Sequence, residues 1–219
     1  MRIKMAKKKT TPKSSNVKTP KILLPNRFAW FLIFVGVVGL IASTVLTIDK
    51  LHVLKDPNFN PACNINPIFS CGSVMKTKQA EIAGVPNTVV GLMAFPALMT
   101  VGVVMLFGAR MNKRFWQLFQ AVALGGLAGV VYLFFQGVYR INALCIYCLS
   151  VWIVGLALNW YTLLWNLSEN FIVLPKKIST FKDWAISHHA DVLVTIYLLL
   201  IFAILNHFWY YFGPLLGLQ

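Results

Sequence analysis

The sequence predicts an all-α integral membrane protein with five transmembrane helices. The first observation is composition, because 58% of the 219 residues are apolar and only 12% are charged. A soluble domain carries about 25% charged residues. The second observation is five uncharged runs, each longer than the ~20 residues that a helix needs to cross about 30 Å of hydrocarbon. These runs cover residues 28–48, 85–109, 115–138, 141–167 and 192–218.

The basic residues predict the orientation of these helices. With the N-terminus in the cytoplasm, the cytoplasmic side holds 15 Lys and Arg residues and the exterior side holds 5. This bias agrees with the positive-inside rule and leaves the C-terminus outside. The basic residues flank the apolar runs, so the net charge of +14 indicates topology and not nucleic-acid binding. A basic leader without a small-residue cleavage site precedes the first run, which predicts a retained signal-anchor.

The chain divides into four predicted segments. They are a disordered basic cytoplasmic tail (1–27), a four-helix bundle (28–167), a cytoplasmic loop (168–191) and a fifth transmembrane helix (192–219). Short turns at 110–114 and 139–140 predict that the second, third and fourth helices are antiparallel neighbours. Small residues recur every four positions on the third helix, which permits close contact with another helix. They are Ala121, Gly125 and Gly129.

The segment 49–84 is the one substantial exterior loop. It begins with a proline-rich stretch that predicts irregular structure. Ser70 can cap a short helix that runs from Cys71 to about Ala80, with Gly84 beyond its end. Because this helix has one apolar and one basic face, we expect it to lie flat on the bilayer or to cover the bundle.

All four cysteines fall on the predicted exterior side, where disulfides form and persist. Cys63 and Cys71 lie in the loop, and Cys145 and Cys148 lie in the first turns of the fourth helix. With Asn142 as the cap, Cys145 is the third helical residue, where free N–H groups and the helix dipole stabilise a thiolate. The C-x-x-C pair therefore suits thiol–disulfide exchange. The loop pair is predicted to be mobile and to meet a soluble partner.

Structural alternatives remain open for the cysteines. A Cys63–Cys71 disulfide could merely staple the loop, and a helical cysteine could be small apolar filler. Zinc is disfavoured because the eight-residue spacing of the loop pair is unlike that of zinc ligands, so no metal is predicted. No haem, flavin or iron–sulfur motif is visible in the sequence. A membrane-soluble electron acceptor is therefore the natural candidate.

The order of a spaced cysteine pair followed by C-x-x-C on a later helix resembles the vitamin K epoxide reductase family, in its bacterial branch. The other family of membrane disulfide-forming enzymes has the two pairs in the reverse order. The resemblance covers roughly residues 28–167. The matching stretches are 63–74 (CNINPIFSCGSV), Pro86 and Asn87 with Gly91, and 145–148 (CIYC) with Trp152.

The resemblance implies a bundle of four helices around a quinone, such as menaquinone or ubiquinone, with the loop helix as a lid. It implies that a thioredoxin-like (DsbA-like) exported protein donates electrons to Cys63. Cys71 would then exchange with Cys145, and Cys148 would face the quinone. The protein is thus expected to generate disulfides for exported proteins, at the outer face of a bacterial cytoplasmic membrane.

The resemblance also implies the residues of the quinone pocket. Asn87 would hydrogen-bond a quinone carbonyl, although from the residues alone it could equally cap a helix or bond to another helix. Trp152 matches an aromatic residue of the pocket, and Gly91 belongs to the same matching stretch. Val74 and Met75 would close the pocket from above.

Two departures from the family pattern concern the partner. Asn64 stands where the family often has Asp, which affects partner preference and leaves the relay intact. Many bacterial relatives carry a fused thioredoxin-like domain after the fifth helix, whereas this sequence ends at Gln219. The redox partner is therefore expected to be a separate protein.

Two further functions stay open at this stage. The same enzyme class could work with another thiol donor as a quinone or quinone-epoxide reductase, a choice that redox potentials decide. The chain could instead be a non-catalytic membrane scaffold or small transporter with stapling disulfides. The absence of charged residues within the spans disfavours a solute path. Of the histidines, only His207 lies within a predicted span, where it could make an interhelical bond.

Overall fold

The structure is a computed structural model that describes residues 21–215, apart from 57, 83, 173–174 and 176–178. Most of the predicted basic tail (1–20), two lysines of the predicted cytoplasmic loop (176–177) and the end of the fifth predicted run (216–218) lie outside the described residues. The helices are α1 (Pro25–Lys55), α2 (Cys71–Met75), α3 (Asn87–Leu106), α4 (Lys113–Phe135), α5 (Ile146–Ser168), α6 (Ser179–Ser187), α7 (His189–His207) and α8 (Trp209–Leu215).

Short segments complete the described chain. Single 3-10 turns occur at Lys21–Leu23 and Lys78–Ala80, and a π-helical turn, Gln136–Ile141, continues α4. Two strands of two residues each, β1 (Glu81–Ile82) and β2 (Val85–Pro86), form an antiparallel hairpin before α3. Gly84 takes a positive φ of 80° in its turn, a conformation that glycine adopts without steric cost.

Five helices in the described part of the chain are long and apolar enough to cross a membrane, which confirms the predicted fold class. They are α1, α3, α4 with its π-helical turn, α5 and α7. The first helix is longer than predicted, because α1 continues beyond Ile48 to Lys55. A basic residue in the last turn of a helix interacts favourably with the helix dipole, which supports this extension.

The predicted end of the fifth helix is wrong within the described residues. α7 stops at His207, and Phe208 interrupts the helix before α8 begins. Phe208 is fully buried and packs in a cluster with Trp152, which requires the chain to turn toward the bundle. His207 Nε2 lies 2.7 Å from Asn142 Oδ1, so the histidine bonds to the residue that follows the π-helical turn and not to another helix.

The closest helix pair is α1 with α3, and glycines permit the approach. A Cβ atom at Gly102 would stand 2.7 Å from the carbonyl oxygen of Ala29, and one at Gly36 would stand 3.0 Å from that of Phe95. Real Cβ atoms hardly ever come this close, so neither glycine can be replaced without separating the helices. The small-residue stripe on α4 has no such role, because a Cβ at Gly125 or Gly129 would meet nothing within 4 Å.

The prediction that the second, third and fourth helices are mutual neighbours is wrong in one respect. α4 packs on α5 as predicted, whereas α3 packs mainly on α1 despite the short turn to α4. At one end of the bundle, residues of α3 and of α4 both line a cavity. We call this end the cysteine end, because the four cysteines lie there.

Aromatic rings hold α1, α4 and α5 together at the opposite end. The ring of Phe28 stacks on that of Trp165 with centroids 4.7 Å apart and planes 7° from parallel. Trp116 tilts against both rings. The side chain of Asn166 is fully buried beside them and donates to the backbone of Thr162. α7 is peripheral and has no fully buried residue of its own.

Candidate active site

The cysteine loop lies between the end of α1 and the start of α2. Cys63 and Cys71 form a disulfide with their Cα atoms 5.7 Å apart. Ser70 caps α2 as predicted, since its hydroxyl accepts from the backbone N–H of Ser73 at 3.3 Å. The helix itself is shorter than predicted: it ends at Met75, and only a 3-10 turn follows at Lys78–Ala80.

Two asparagines hold this loop in one conformation. Asn66 Oδ1 accepts from the backbone N–H groups of Ile68 and Phe69, at 3.0 and 2.7 Å. Asn64 Oδ1 accepts from the N–H of Gly72 at 2.9 Å. Both sulfur-bearing residues are buried, Cys63 with 5% and Cys71 with 0% of its surface exposed. The loop pair is therefore buried and hydrogen-bonded in the structure, and the mobility expected of it stays a prediction.

Asn64 has a second bond that an aspartate could not make. Its Nδ2 donates to the side-chain oxygen of Asn60, and its Oδ1 also accepts from the Ser70 hydroxyl at 3.1 Å. A Cβ at Gly72 would lie 2.9 Å from Asn64 Nδ2, so glycine is needed for this contact. Asn64, which departs from the family pattern, thus links the loop to the start of α2 by hydrogen bonds.

The C-x-x-C pair lies at the start of α5, but not in the predicted register. The helix begins at Ile146, and Cys145 is itself the N-cap residue, so it is not the third helical residue. Its sulfur accepts from the backbone N–H of Cys148 at 3.5 Å. Asn142, the predicted cap, instead ends the preceding π-helical turn with a left-handed φ of 56°.

A backbone bridge joins the two cysteine pairs, and the sequence offered no signal for it. Phe69 and Leu144 form an isolated parallel bridge. The N–H of Leu144 donates to the carbonyl of Ile68 at 2.7 Å, and the N–H of Ser70 donates to the carbonyl of Leu144 at 2.9 Å. Because the bridge is parallel, the two chain segments that follow Phe69 and Leu144 run in the same direction side by side. Cys145 follows Leu144 at once, and Cys71 follows Ser70.

The sulfur of Cys145 is arranged to carry negative charge. Its hydrogen bond with the Cys148 side chain lowers the pKa of the Cys145 thiol, and the backbone N–H groups of Cys148 and Tyr147 lower it further. Burial and the carboxylate of Asp49 oppose this shift without reversing it. A thiolate is the nucleophile and the better leaving group in disulfide exchange. The cap position therefore prepares Cys145 for that chemistry.

Cys63, Cys71 and Cys145 form one buried cluster at the cysteine end with Leu46 of α1 and Met75 of α2, and the partly buried Cys148 packs against it. Cys145 and Cys148 are free thiols, and the loop pair is a disulfide. The structure thus brings together the four residues that the sequence singled out as the redox centre. Among the described residues no group of three or more His, Cys, Asp or Glu side chains could hold a metal ion.

A cavity of about 80 Å³, which opens into a wider recess, adjoins this cluster. Small-molecule sites have mostly apolar walls and a few polar groups. Its lining includes Cys71, Cys145 and Cys148, together with four of the five residues predicted for a quinone pocket. Those four are Val74, Met75, Asn87 and Trp152.

The fifth predicted pocket residue, Gly91, is misplaced by the sequence reasoning. It does not line the cavity. It lies at the contact of α3 with α1, where a Cβ would collide with the hydroxyl of Ser43 and stand 3.3 Å from the ring of Phe95. Its role is close helix packing. The lining residues Leu46, Thr88, Leu133 and Gln136 were not identified from the sequence. Only the tertiary structure brings these residues to the cavity.

Asn87 is neither a helix cap nor free in the cavity. It is the first residue of α3, and its Nδ2 donates to the backbone carbonyl of Gln79 at 3.0 Å. Its Oδ1 is buried and has no partner among the described residues. The hydroxyl of Thr88 is in the same condition. Two residues that line the cavity and are adjacent in the sequence therefore each have a polar atom without a partner among the described residues.

The lid of the cavity is α2, and Lys50 of α1 holds its end. Lys50 Nζ donates to the backbone carbonyl of Met75 at 2.7 Å and forms an ion pair with Glu81 at 3.2 Å. The lysine side chain is only 14% exposed. This contact was not foreseen from the sequence, which assigned Lys50 to the topology alone.

Comparison with known proteins agrees with this geometry. The sequence model of the family described as "Vitamin K epoxide reductase family" matches residues 30–163, more than half of the chain. The match contains all four cysteines, α2 and the residues that line the cavity. No curated protein matches the chain.

Proposed function

The chain belongs to the vitamin K epoxide reductase family, and we propose that it passes electrons from an exported dithiol protein to a membrane quinone. Membership indicates a membrane-embedded oxidoreductase, and the family is associated with quinone use. The observation that carries the proposal is the grouping of the four cysteines, three of them buried, beside a largely apolar cavity. A stapling disulfide alone would need neither the second pair nor the cavity.

The relay begins at the loop pair. A thiolate of the partner attacks the sulfur of Cys63, which forms a mixed disulfide and releases Cys71 as a thiolate. Cys71 attacks Cys145 of the oxidised C-x-x-C pair, and Cys148 leaves. The parallel bridge between Phe69 and Leu144 supports this order, because it aligns the chain just before Cys71 with the chain just before Cys145.

Two further exchanges complete the transfer. The second thiol of the partner resolves the mixed disulfide and frees Cys63. Cys63 then attacks Cys71, re-forms the loop disulfide and expels Cys145, whose lowered pKa makes it the better leaving group. The partner is now oxidised, and Cys145 and Cys148 are thiols. The structure has this same combination, an oxidised loop pair and a reduced C-x-x-C pair.

The lining of the cavity supports the proposal of a quinone ring as its ligand. Its walls are apolar at Leu46, Leu133 and Trp152, and its partnerless polar atoms belong to Asn87 and Thr88. When bound, a quinone would accept two electrons and two protons and so return Cys145 and Cys148 to a disulfide. The chain's own part is to hold the ring beside these sulfurs under the α2 lid.

The partner is proposed on the chemistry of the loop. Cys63 is the less buried sulfur-bearing residue of its pair, and it follows the exposed Ala62. We place this end of the bundle outside the cytoplasm, because the basic residues favour that orientation and dithiol oxidation requires an oxidising compartment. A thioredoxin-like protein has the paired cysteines that the relay consumes.

The test is reconstitution of the full chain in lipid vesicles with a reduced thioredoxin-like protein and a short-chain quinone. Wild type should reduce the quinone, and Cys148→Ser should lose at least about a thousandfold, the effect expected when a nucleophile is removed from a unit. Cys63→Ser should lose activity with the protein donor but keep part of it with a small dithiol. Wild-type rates in Cys148→Ser would refute the relay.

A second measurement separates the enzyme from a scaffold. In Cys71→Ala, the freed Cys63 should trap the partner as a mixed disulfide that a non-reducing gel resolves. Cys63→Ala serves as the matched control and should trap nothing through the loop. A scaffold held together by disulfides would trap no partner in either variant.

A further inference from the structure

We propose that His207 and Phe208, at the junction of α7 and α8, are positioning residues of the redox centre. They hold the segment 142–145 in place, so that Cys145 stays in the same cluster as Cys71 and can exchange with it. This inference rests on the proposed function, because it assumes that these two sulfurs exchange. Neither residue lies within the family match, which ends at 163, so the match assigns no role to either of them.

The segment 142–145 joins the π-helical turn to α5, and it contains neither a helical residue nor a strand beyond the single bridge at Leu144. Asn142 has a left-handed φ of 56°, a conformation that costs energy for a residue other than glycine, although asparagine tolerates it better than most. Because Cys145 follows Leu144 directly, a shift of this segment displaces the Cys145 sulfur. The position of that sulfur therefore depends on contacts from elsewhere in the molecule.

His207 holds the start of the segment. Its Nε2 donates to Oδ1 of Asn142 at 2.7 Å, between residues that are 65 positions apart in the sequence. The imidazole ring also stands edge-on to the ring of Tyr139, with centroids 4.8 Å apart, and Tyr139 belongs to the π-helical turn. The histidine thus contacts both the left-handed residue and the turn that precedes it.

Phe208 supports the other end of the segment. Its side chain is fully buried, in one cluster with Ile68, Leu144 and Trp152. Ile68 and Leu144 stand on opposite sides of the bridge, since the N–H of Leu144 donates to the carbonyl of Ile68 at 2.7 Å. The ring therefore belongs to a cluster that includes the cysteine loop, the segment before Cys145 and the helix that carries the C-x-x-C pair.

The burial of Phe208 contrasts with the rest of its helix. No residue of α7 is fully buried, and Phe202 is 67% exposed. Disulfide exchange needs the two sulfurs to be held in a narrow geometry, and a displacement of about 1 Å can slow a reaction about a hundredfold. A buried ring beside the bridge, with a hydrogen bond at the preceding turn, supplies support of this kind from outside the four helices.

The experiment measures how well Cys71 and Cys145 are placed for each other, without quinone or partner. Cys63→Ala combined with Cys148→Ala leaves these two thiols in the full chain, which is placed in lipid nanodiscs with reduced and oxidised glutathione. Formation of the Cys71–Cys145 disulfide consumes one oxidised glutathione and releases two reduced ones. Mass spectrometry after alkylation of the remaining thiols gives the equilibrium constant, which is the effective concentration of one thiol toward the other.

Removal of either support should lower this effective concentration. Phe208→Ala should lower it at least about tenfold, because the bridge loses the buried ring beside it. His207→Phe removes the hydrogen bond but keeps an aromatic ring, and it should lower the value about fivefold. His207→Gln places an amide donor near the position of Nε2 and should stay within about twofold of the parent.

A double-mutant cycle tests whether His207 acts through Asn142. Asn142→Gly permits the left-handed φ and removes the acceptor, so it should lower the effective concentration as His207→Phe does. The two changes together should lower it no further than either change alone, because both remove the same hydrogen bond.

Two controls separate positioning from a general loss of stability. Phe202→Ala removes an exposed ring from α7 and should leave the effective concentration unchanged. The thermal midpoint of each variant is measured with the thiols reduced. Where Phe208→Ala does not fold, Phe208→Leu keeps an apolar side chain at the same position and should lower the effective concentration about threefold.

The outcomes separate the two proposals. If the parent chain forms no Cys71–Cys145 disulfide, the relay fails and this inference fails with it. If the parent forms the disulfide and the His207→Phe and Phe208 variants form it equally well, the inference alone is overturned and the relay stands. A loss in only one of them overturns the role of the other residue. A loss in both, with His207→Gln and Phe202→Ala unchanged, supports both proposals.

Discussion

At the scale of single residues, the two cysteines of the C-x-x-C pair have different surroundings although three positions separate them. Cys145 is an N-cap and is nearly fully buried, with 2% of its surface exposed. Cys148 lies in the first turn and supplies both a side-chain and a backbone hydrogen bond to the Cys145 sulfur. A side chain at the N-cap receives the unpaired N–H groups of the helix, which is why the charge is held there.

The first prediction concerns the Cys145 thiolate. With the loop pair oxidised, Cys145 is the single free thiol of Cys148→Ser and of Cys148→Ala. Serine can still donate to the Cys145 sulfur and alanine cannot, so the pKa of Cys145 should be higher in Cys148→Ala than in Cys148→Ser. Ultraviolet absorbance of the thiolate, followed as a function of pH, measures both values.

The lowered pKa of Cys145 also makes the stability of the fold depend on pH. A pKa that is lowered in the folded state stabilises the fold at pH values above the unfolded thiol's pKa, and this contribution is lost as the pH falls through the folded pKa. Cys148→Ser should therefore lose more stability than Cys148→Ala on acidification across that window. Equal titration of the two variants would show that the Cys148 side chain does not act on Cys145.

At the scale of elements, the lid is a five-residue helix with a support at each end. Ser70 caps its start, and Lys50 binds the carbonyl of Met75 at its end. An isolated helix of this length is unstable in water, because nucleation fixes several residues for one hydrogen bond. The lid therefore depends on its contacts with the longer helix α1, and the ion pair with Glu81 connects the same lysine to the hairpin.

The second prediction follows from this dependence. Lys50→Met removes a charge-assisted hydrogen bond and an ion pair, and a bond of that kind contributes about 1.5–3 kcal/mol. The lid should open more often, so amide hydrogen exchange in 71–75 should accelerate about tenfold or more and the kcat/KM for quinone should fall. Lys55→Met, at an exposed position of the same helix, is the control. Unchanged exchange in Lys50→Met would mean that the lid is held by its apolar contacts alone.

At the scale of the whole molecule, the bundle is organised with its chemistry at one end and its tightest aromatic packing at the other. The rings of Phe28, Trp116 and Trp165 tie three helices at the end opposite the cysteines. The cysteine end instead has a cavity between α3 and α4. A bundle that is well packed at one end can leave space at the other without losing its helix arrangement.

The third prediction concerns how the molecule lies in its membrane. The distribution of basic residues predicts that the cysteine end lies outside, and this orientation is the one that we propose. A membrane-impermeant maleimide applied to intact cells should label Asn58→Cys, near the cysteines, and should not label Ala109→Cys, in the exposed turn after α3. Both positions should be labelled after the membrane is opened. Labelling of Ala109→Cys alone in intact cells would reverse the proposed orientation and exclude an exterior thiol partner.

Most of the fold could be predicted from the sequence, because the ability of a helix to cross a membrane depends on its local composition. Five runs of apolar residues were enough to identify five helices, and the Ser70 cap was also foreseen. Helix ends were less accurate: α1 runs to Lys55, and α7 stops at His207. The interruption of the helix after α7 coincides with the fully buried ring of Phe208. No local sequence pattern predicts which aromatic ring will be buried.

The candidate site was likewise predicted in part from the sequence and in part seen only in the structure. The sequence by itself determined the class of protein, the four cysteines and their common side, since these follow from residue type, spacing and hydropathy. Only the tertiary structure decided that Cys145 is an N-cap, that Gly91 packs against α1, and that a bridge at Phe69 and Leu144 aligns the two pairs. These features depend on contacts between residues far apart in the chain. Which polar groups remain without a hydrogen-bond partner, such as the Thr88 hydroxyl, is likewise decided only when the chain has folded.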